Sequence, residues 1–212
     1  MITEHHIPVS RQARYCTLGD PEAPVTELWY VLHGYGQLAP YFLRKFQPVQ
    51  QPGRLIVAPE GPHRFYLNGH SGRVGASWMT KEDRETDIRN YIHLLDTLHH
   101  HFTGNWGKVP VRVLGFSQGA ATASRWVNYG QIEPAALCLW ASVFPPDMEF
   151  RMDRLQCPLY LVYADNDEFL TLQQTHDHIA FLQNKGLDPH VIRFSGTHDI
   201  PHEALKNLAD KW

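Results

Sequence analysis

Nothing in the 212-residue sequence approaches the roughly 20 consecutive apolar residues that a membrane-spanning helix needs. Absent too is any block of lysines or arginines. The 19 basic residues are scattered among 22 acidic ones, and a formal net charge of −3 leaves no electrostatic footprint for nucleic acid or an anionic membrane surface. Neither nucleic acid nor stable membrane insertion is therefore expected. Cysteine is scarce: Cys16, Cys138 and Cys157 are odd in number and widely spaced, a pattern of buried thiols in a reducing compartment rather than a disulfide framework. The first residues, Met1-Ile2-Thr3-Glu4-His5-His6-Ile7-Pro8, lack a basic end followed by an apolar stretch, so a cytoplasmic location is expected. No repeat or low-complexity segment appears. At this length one domain over residues 1–212 is expected, and no feature bears on whether it forms a homo-oligomer.

Histidine, by contrast, is abundant, with 14 residues, and invites a metal site at His99-His100-His101, at His176 with His178, or at His198 with His202. The triple falls at the polar end of a helical stretch, where adjacent residues point in different directions and cations complement the helix dipole. His198 and His202 are four apart, but Pro201 lies between them and the glutamate of an H-E-x-x-H zinc helix is missing. No metal and no organic cofactor is expected.

Short β-rich runs alternate with helical patterns along the whole chain, which predicts an α/β fold with a mostly parallel central sheet and helices on both faces. Strands are expected at residues 13–18, 27–32, 55–58, 109–114, 135–141, 159–164 and 190–194. Helices are expected at 40–46, 84–102, 172–184 and 201–212, with a long loop over residues 63–80. The second helix is marked by Ile88, Tyr91, Ile92, Leu95 and Leu98 at helical spacing.

The most informative local pattern is Gly115-Phe116-Ser117-Gln118-Gly119, preceded by an apolar run and followed by the small residues Ala120, Ala121 and Ala123. That order of strand, tight turn and helix exposes a serine hydroxyl and points helix N-terminal N–H groups at a reacting carbonyl. The plain alternative is a serine that only caps the helix. A serine nucleophile needs a base with a pKa near neutrality and an acid to orient that base. In an open parallel sheet such groups sit in loops after the strands. Asp165 and Asp167 follow one strand and His198 follows the last, in the order Ser, Asp, His. The residues alone do not separate the two aspartates. For oxyanion stabilisation the N–H of Gln118 is one donor, and Gly34 and Gly36 nominate the N–H of Tyr35 as the second.

With these pieces on the page, the chain resembles the carboxylesterase/phospholipase family of α/β-hydrolases, the small cap-less serine esterases that include acyl-protein thioesterases and lysophospholipases. The resemblance runs from about Leu28 to His198. Its motifs are Leu32-His33-Gly34, Ala58-Pro59-Glu60-Gly61-Pro62, Ser77-Trp78, the Ser117 pentapeptide, the acid loop from Ala164 and Gly196-Thr197-His198. It implies a small-molecule acyl ester or thioester substrate and assigns the acid to Asp167, since the family's loop runs from a small residue through two variable ones to the aspartate. Departures fall at Gln37, where the family often has another glycine, at Met79-Thr80, and at Phe169-Leu170-Thr171.

Residues 142–156 are too few to form a cap domain. The cover is expected from residues 63–80, with Phe65, Tyr66, Trp78 and Met79 as an apolar wall for substrate and Gly69, Gly72 and Gly75 as points of flexibility. Without an arginine cluster to clamp phosphate, an apolar acyl or aryl group is the expected substrate part. Two alternatives remain at this stage: a binding protein on the same fold with little or no turnover, and a metal-dependent hydrolase drawing on the histidines.

Overall fold

The computed structural model describes residues 1–106 and 108–212. Among the described residues nine strands form, in chain order β1 (Tyr15–Leu18), β2 (Glu27–Leu32), β3 (Arg54–Pro59), β4 (His63–Asn68), β5 (Ser71–Ser77), β6 (Val111–Phe116), β7 (Ala136–Trp140), β8 (Leu159–Ala164) and β9 (His190–Phe194). Seven build one sheet in the order β1-β3-β2-β6-β7-β8-β9, parallel except for the edge strand β1. The helices are α1 (Ala39–Leu43), α2 (Arg84–Trp106), α3 (Gln118–Tyr129), α4 (Leu172–Asn184) and α5 (His202–Ala209), with a 3-10 segment over Arg44–Val49. Among the described residues no helix is long and apolar enough to cross a membrane.

Strand alternation divides the core in two. Leu28, Tyr30 and Leu32 of β2 pack on the face covered by α2, α3 and α4, with Tyr91, Leu95, Trp126 and Leu182. Trp29 and Val31 face the other way, against Phe42, Phe46 and Leu205 from α1, the 3-10 segment and α5. Both faces of β2, β3, β7 and β8 are thus covered, which is why these strands read as continuous apolar runs. Where successive strands run parallel, their carboxyl ends share one edge, and that edge gathers the loops after β2, β6, β8 and β9.

The structure differs from the sequence expectation in four places. Helix α1 stops at Leu43 and tightens into the 3-10 segment, since Pro48 supplies no N–H to continue an α-helix. The expected loop over residues 63–80 is instead an antiparallel hairpin of β4 and β5, separate from the main sheet and closed at Asn68-Gly69-His70 with Gly69 at φ +64°. Helix α2 continues to Trp106, so the histidine triple lies inside it. There His99 packs edge-on against Tyr30 and Trp126. The closing helix is shorter than residues 201–212, with Pro201 outside it as its N-cap and Asp210 as its C-cap.

His178 of α4 accepts a hydrogen bond from the Phe144 N–H at 3.2 Å, and burial pushes its pKa down to about 4 from an ordinary 6.5. A neutral form favoured only in the folded state makes the unfolded chain bind more protons between these values, so stability is lost as pH falls through the window. In urea titrations, wild-type stability is expected to decline relative to His178→Gln between pH 6.5 and about pH 4, because glutamine can accept the same N–H without titrating. Parallel curves for the two proteins would remove His178 from this role.

Candidate active site

Ser117 is the single residue between β6 and α3, and it adopts φ +54°, ψ −117°. A non-glycine residue at positive φ costs about 1–3 kcal/mol and persists only where its surroundings enforce it. Here the enforcement is steric. A Cβ at position 119 would stand 2.1 Å from the Leu32 carbonyl oxygen, and one at position 115 would stand 2.2 Å from the Gly119 oxygen. The Ser117 N–H donates to the Trp140 carbonyl at 2.9 Å. Its side chain makes no capping bond to α3, so capping does not explain this serine.

Beyond β8, Asp167 has a fully buried side chain whose two carboxylate oxygens lie 2.8 and 3.0 Å from His198 Nδ1. Its Oδ1 also accepts the N–H groups of Phe169 at 2.8 Å and Leu170 at 3.1 Å. A carboxylate so placed holds the His198 proton on Nδ1 and leaves Nε2 as the basic nitrogen. Asp165 pairs instead with Arg193, which separates the two aspartates that sequence reasoning left tied. The His198 ring packs on Phe116, the residue before Ser117, with ring centroids 4.8 Å apart. Phe169 meets the same ring at 4.7 Å. Trp140 links the two halves: its carbonyl receives Ser117, while its indole N–H donates to the Asp199 carbonyl at 3.0 Å. Among the described residues no hydrogen bond joins Ser117 Oγ to His198.

The loop after β2 is braced from within. His33 is buried, accepts the Gly61 N–H on Nε2 at 2.9 Å and therefore carries its proton on Nδ1, which donates to the Gly34 carbonyl at 2.8 Å. Burial lowers its pKa and keeps the ring neutral. Gln37 Oε1 accepts the Gly34 N–H at 2.9 Å, and the Gly36 N–H donates to Ala76 of the hairpin at 2.8 Å. Among the described residues, the Tyr35 and Gln118 N–H groups have no acceptor.

The expected apolar wall is rearranged. Trp78 has 0% exposure, stacks on His33 with centroids 5.1 Å apart and donates its indole N–H to the His33 carbonyl at 2.9 Å. It belongs to the core and not to a substrate surface, because its polar edge finds its partner inside. Met79 is half-buried with its sulfur beside Arg125. Phe65 lies under the exposed ring of Tyr35, and Tyr66 is exposed. Sequence reasoning missed the Gln118 side chain, which accepts the Trp78 N–H at 3.1 Å and donates to the Met79 carbonyl at 2.9 Å and to Ser77 Oγ at 3.0 Å. It missed Glu60 as well, a buried carboxylate that accepts the first N–H of α1 at Ala39 and pairs with Arg64. The only signal for Glu60 was its place in the Ala58-to-Pro62 motif.

The family model described as serine hydrolase (FSH1) matches residues 29–209. The chain belongs to this serine hydrolase family. No curated protein matches it. Among solved structures, it is similar to esterase PE8, at 20% identity and TM-score 0.71 over 95% of this chain and 98% of that one. It is similar to acyl-protein thioesterase 2 of Zea mays, at 16% identity and TM-score 0.73 over 94% and 97%. A Bacillus cereus carboxylesterase is similar at 14% identity and TM-score 0.69 over 94% of each chain. These likenesses are of fold, and they agree with the α/β-hydrolase architecture expected from the motifs.

For this serine hydrolase, the close approach at Gly119 predicts that Gly119→Ala lowers stability by about 1–3 kcal/mol through overpacking and slows labelling of Ser117 by a fluorophosphonate. Gly104→Ala serves as the contrast, since it lies in α2 with nothing within 4 Å of an added Cβ. That variant is expected to gain up to about 1 kcal/mol from helix propensity. Equal denaturation midpoints for the two would contradict the steric reading of the elbow.

Proposed function

We propose that this serine hydrolase cleaves carboxylic esters or thioesters through an acyl-enzyme on Ser117. One observation carries the reading: a His198–Asp167 pair with its proton held on Nδ1 packs against the residue that precedes a serine at positive φ. Ser117 Oγ attacks the carbonyl carbon while His198 Nε2 takes its proton. The negative charge on the carbonyl oxygen is met by the Tyr35 and Gln118 N–H groups, which have no other acceptor to release. When the tetrahedral intermediate collapses, His198 returns its proton to the leaving alkoxide or thiolate. Water, deprotonated by His198, then attacks the acyl carbon, and the acid leaves with Ser117 restored. Asp167 orients the imidazole and stabilises its charged form throughout.

The substrate class in this reading is a small-molecule ester or thioester, and the enzyme acts as one domain in the cytoplasm. Three free cysteines support that compartment. The missing Ser117–His198 hydrogen bond favours a second reading, a binding protein on this fold with little or no turnover. Catalytic hydrogen bonds often tighten only when substrate is bound, which keeps hydrolysis the better reading.

Stoichiometric labelling of Ser117 by a fluorophosphonate, with hydrolysis of para-nitrophenyl esters or acyl thioesters, is the expected result. An unlabelled folded protein favours the binding-protein reading. Ser117→Ala is expected to lower kcat by about 10⁶-fold, and Asp167→Asn by about 10⁴-fold. Asp165→Asn is expected to stay within about threefold of wild type, since its partner Arg193 is at the surface. The opposite ranking of the two aspartates would move the acid to Asp165.

A further inference from the structure

A cleft of about 620 Å³ opens beside the loop that carries Tyr35, and nothing in the reaction above uses it. Its floor is Gly36 and Gln37. One wall is Tyr41 and Lys45 from α1 and the 3-10 segment, and the other is Arg73 and Val74 of β5. That volume suits a small organic group.

The charge of the cleft is unlike that of the chain. No carboxylate lines it, although the chain as a whole is net negative. Arg44 adds a third cation nearby, lying over the Tyr41 ring at 5.0 Å. Of these cations, Lys45 is neutralised by Asp199, the residue after His198. Arg73 is exposed and, among the described residues, has neither an ion pair nor a hydrogen-bond acceptor. A guanidinium is a fixed fork suited to a carboxylate or phosphate. Phosphate is the poorer fit. The N-terminal N–H of α1, which could have joined a phosphate cradle, is already taken by Glu60 at 3.1 Å. Between the Arg73 end and the Tyr35 loop the surface is largely apolar, with Tyr41 and Val74 available to carbon atoms and the buried Phe42 behind them.

We propose that this cleft binds the far end of the substrate and that Arg73 receives a carboxylate there, so that the preferred substrates are esters or thioesters of dicarboxylic acids or of other carboxylate-bearing compounds. The proposal rests on the hydrolase reading above and narrows its substrate class. Arg73 is a binding residue in it, with no part in bond making or breaking.

The test compares para-nitrophenyl hydrogen adipate, which carries a free carboxylate, with the neutral para-nitrophenyl hexanoate of equal chain length. Wild type is expected to give the higher kcat/KM with the adipate, mainly through KM, and the advantage is expected to shrink in about 0.5 M salt. Arg73→Ala is expected to cut the adipate-to-hexanoate ratio of kcat/KM by about threefold and Arg73→Glu by about tenfold, as suits a partly exposed ion pair. Arg73→Lys is expected to keep most of the ratio. A wild-type ratio at or below one, or a ratio that Arg73→Glu leaves unchanged, overturns the proposal while leaving ester hydrolysis intact. Failure to hydrolyse either ester, with Ser117 unlabelled, overturns the hydrolase reading and this proposal with it.

Discussion

The contact on which the rest of the site depends is the approach of α3 to β2 at Gly119, too close for any side chain. A helix brought that near to the Leu32 and His33 carbonyls sets the height of Ser117 and Gln118 above the sheet. It also sets their distance from the chain leaving β2. The loop after β2 is held beside the elbow as well, where a Cβ at position 34 would stand 3.0 Å from the Phe116 ring. Van der Waals repulsion against backbone is steep and cannot be relaxed by a rotamer change, which makes it a better ruler than a hydrogen bond. The hydrogen bonds follow from it. With α3 so placed, the Gln118 amide reaches the strand end at Ser77 and Trp78, and the Trp78 indole reaches back to the His33 carbonyl.

This arrangement divides the site into a dry, over-determined part and an open part. His33, Trp78, Asp167 and Glu60 are buried, and each has its polar atoms engaged. Polar groups removed from water cost free energy unless paired, so a full set of partners both stabilises this layer and fixes its geometry. The rim is different. Tyr35 is 61% exposed and Phe169 72% exposed, and each touches the site through one face of its ring. Fixed geometry and exposed surface are thus carried largely by different residues, and a change at the rim leaves the ruler at Gly119 untouched.

What the sequence disclosed follows the same division. Strands covered on both faces were legible as unbroken apolar runs, and β2 and β8 fall where the pattern put them; the more exposed edge strand β9 and helix α4 do so too. The hairpin was not, because β4 is largely exposed, β5 is buried only toward Ser77, and apart from a bridge between Ala76 and Gln37 they pair with each other, so their composition is that of a loop. Asn68-Gly69 was the one turn signal available for it. Trp78 was misassigned for a related reason: an aromatic residue in a segment taken for a cover gives no sign that its indole will find a carbonyl inside the core. The aspartates could not be told apart from spacing, since both follow β8. It takes the turn at Phe169 and Leu170, whose N–H groups point at Oδ1, to aim Asp167 at His198 and leave Asp165 to Arg193.

The three departures from the resembled family differ in what they can say about substrate. Gln37 takes the Gly34 N–H, so a side chain braces the loop at a place where the family often has glycine. Met79 contributes its carbonyl to Gln118 and Ser77 and its sulfur to Arg125. Met79 is spent on the protein's own frame, while Gln37 both braces the loop and forms part of the floor of the cleft under Arg73, so substitution at either would disturb geometry first. Phe169 is not so engaged: its N–H orients Asp167, but its ring stands in solvent against His198. The ring meets the imidazole at a steep angle with centroids 4.7 Å apart and shields part of it from solvent. Under the proposed function, the Phe169 ring and the cleft under Arg73 are exposed surfaces on which selectivity would act. Trp78 and Met79 add little to that surface, since Trp78 is buried and Met79 is half-buried against Gln118 and Arg125.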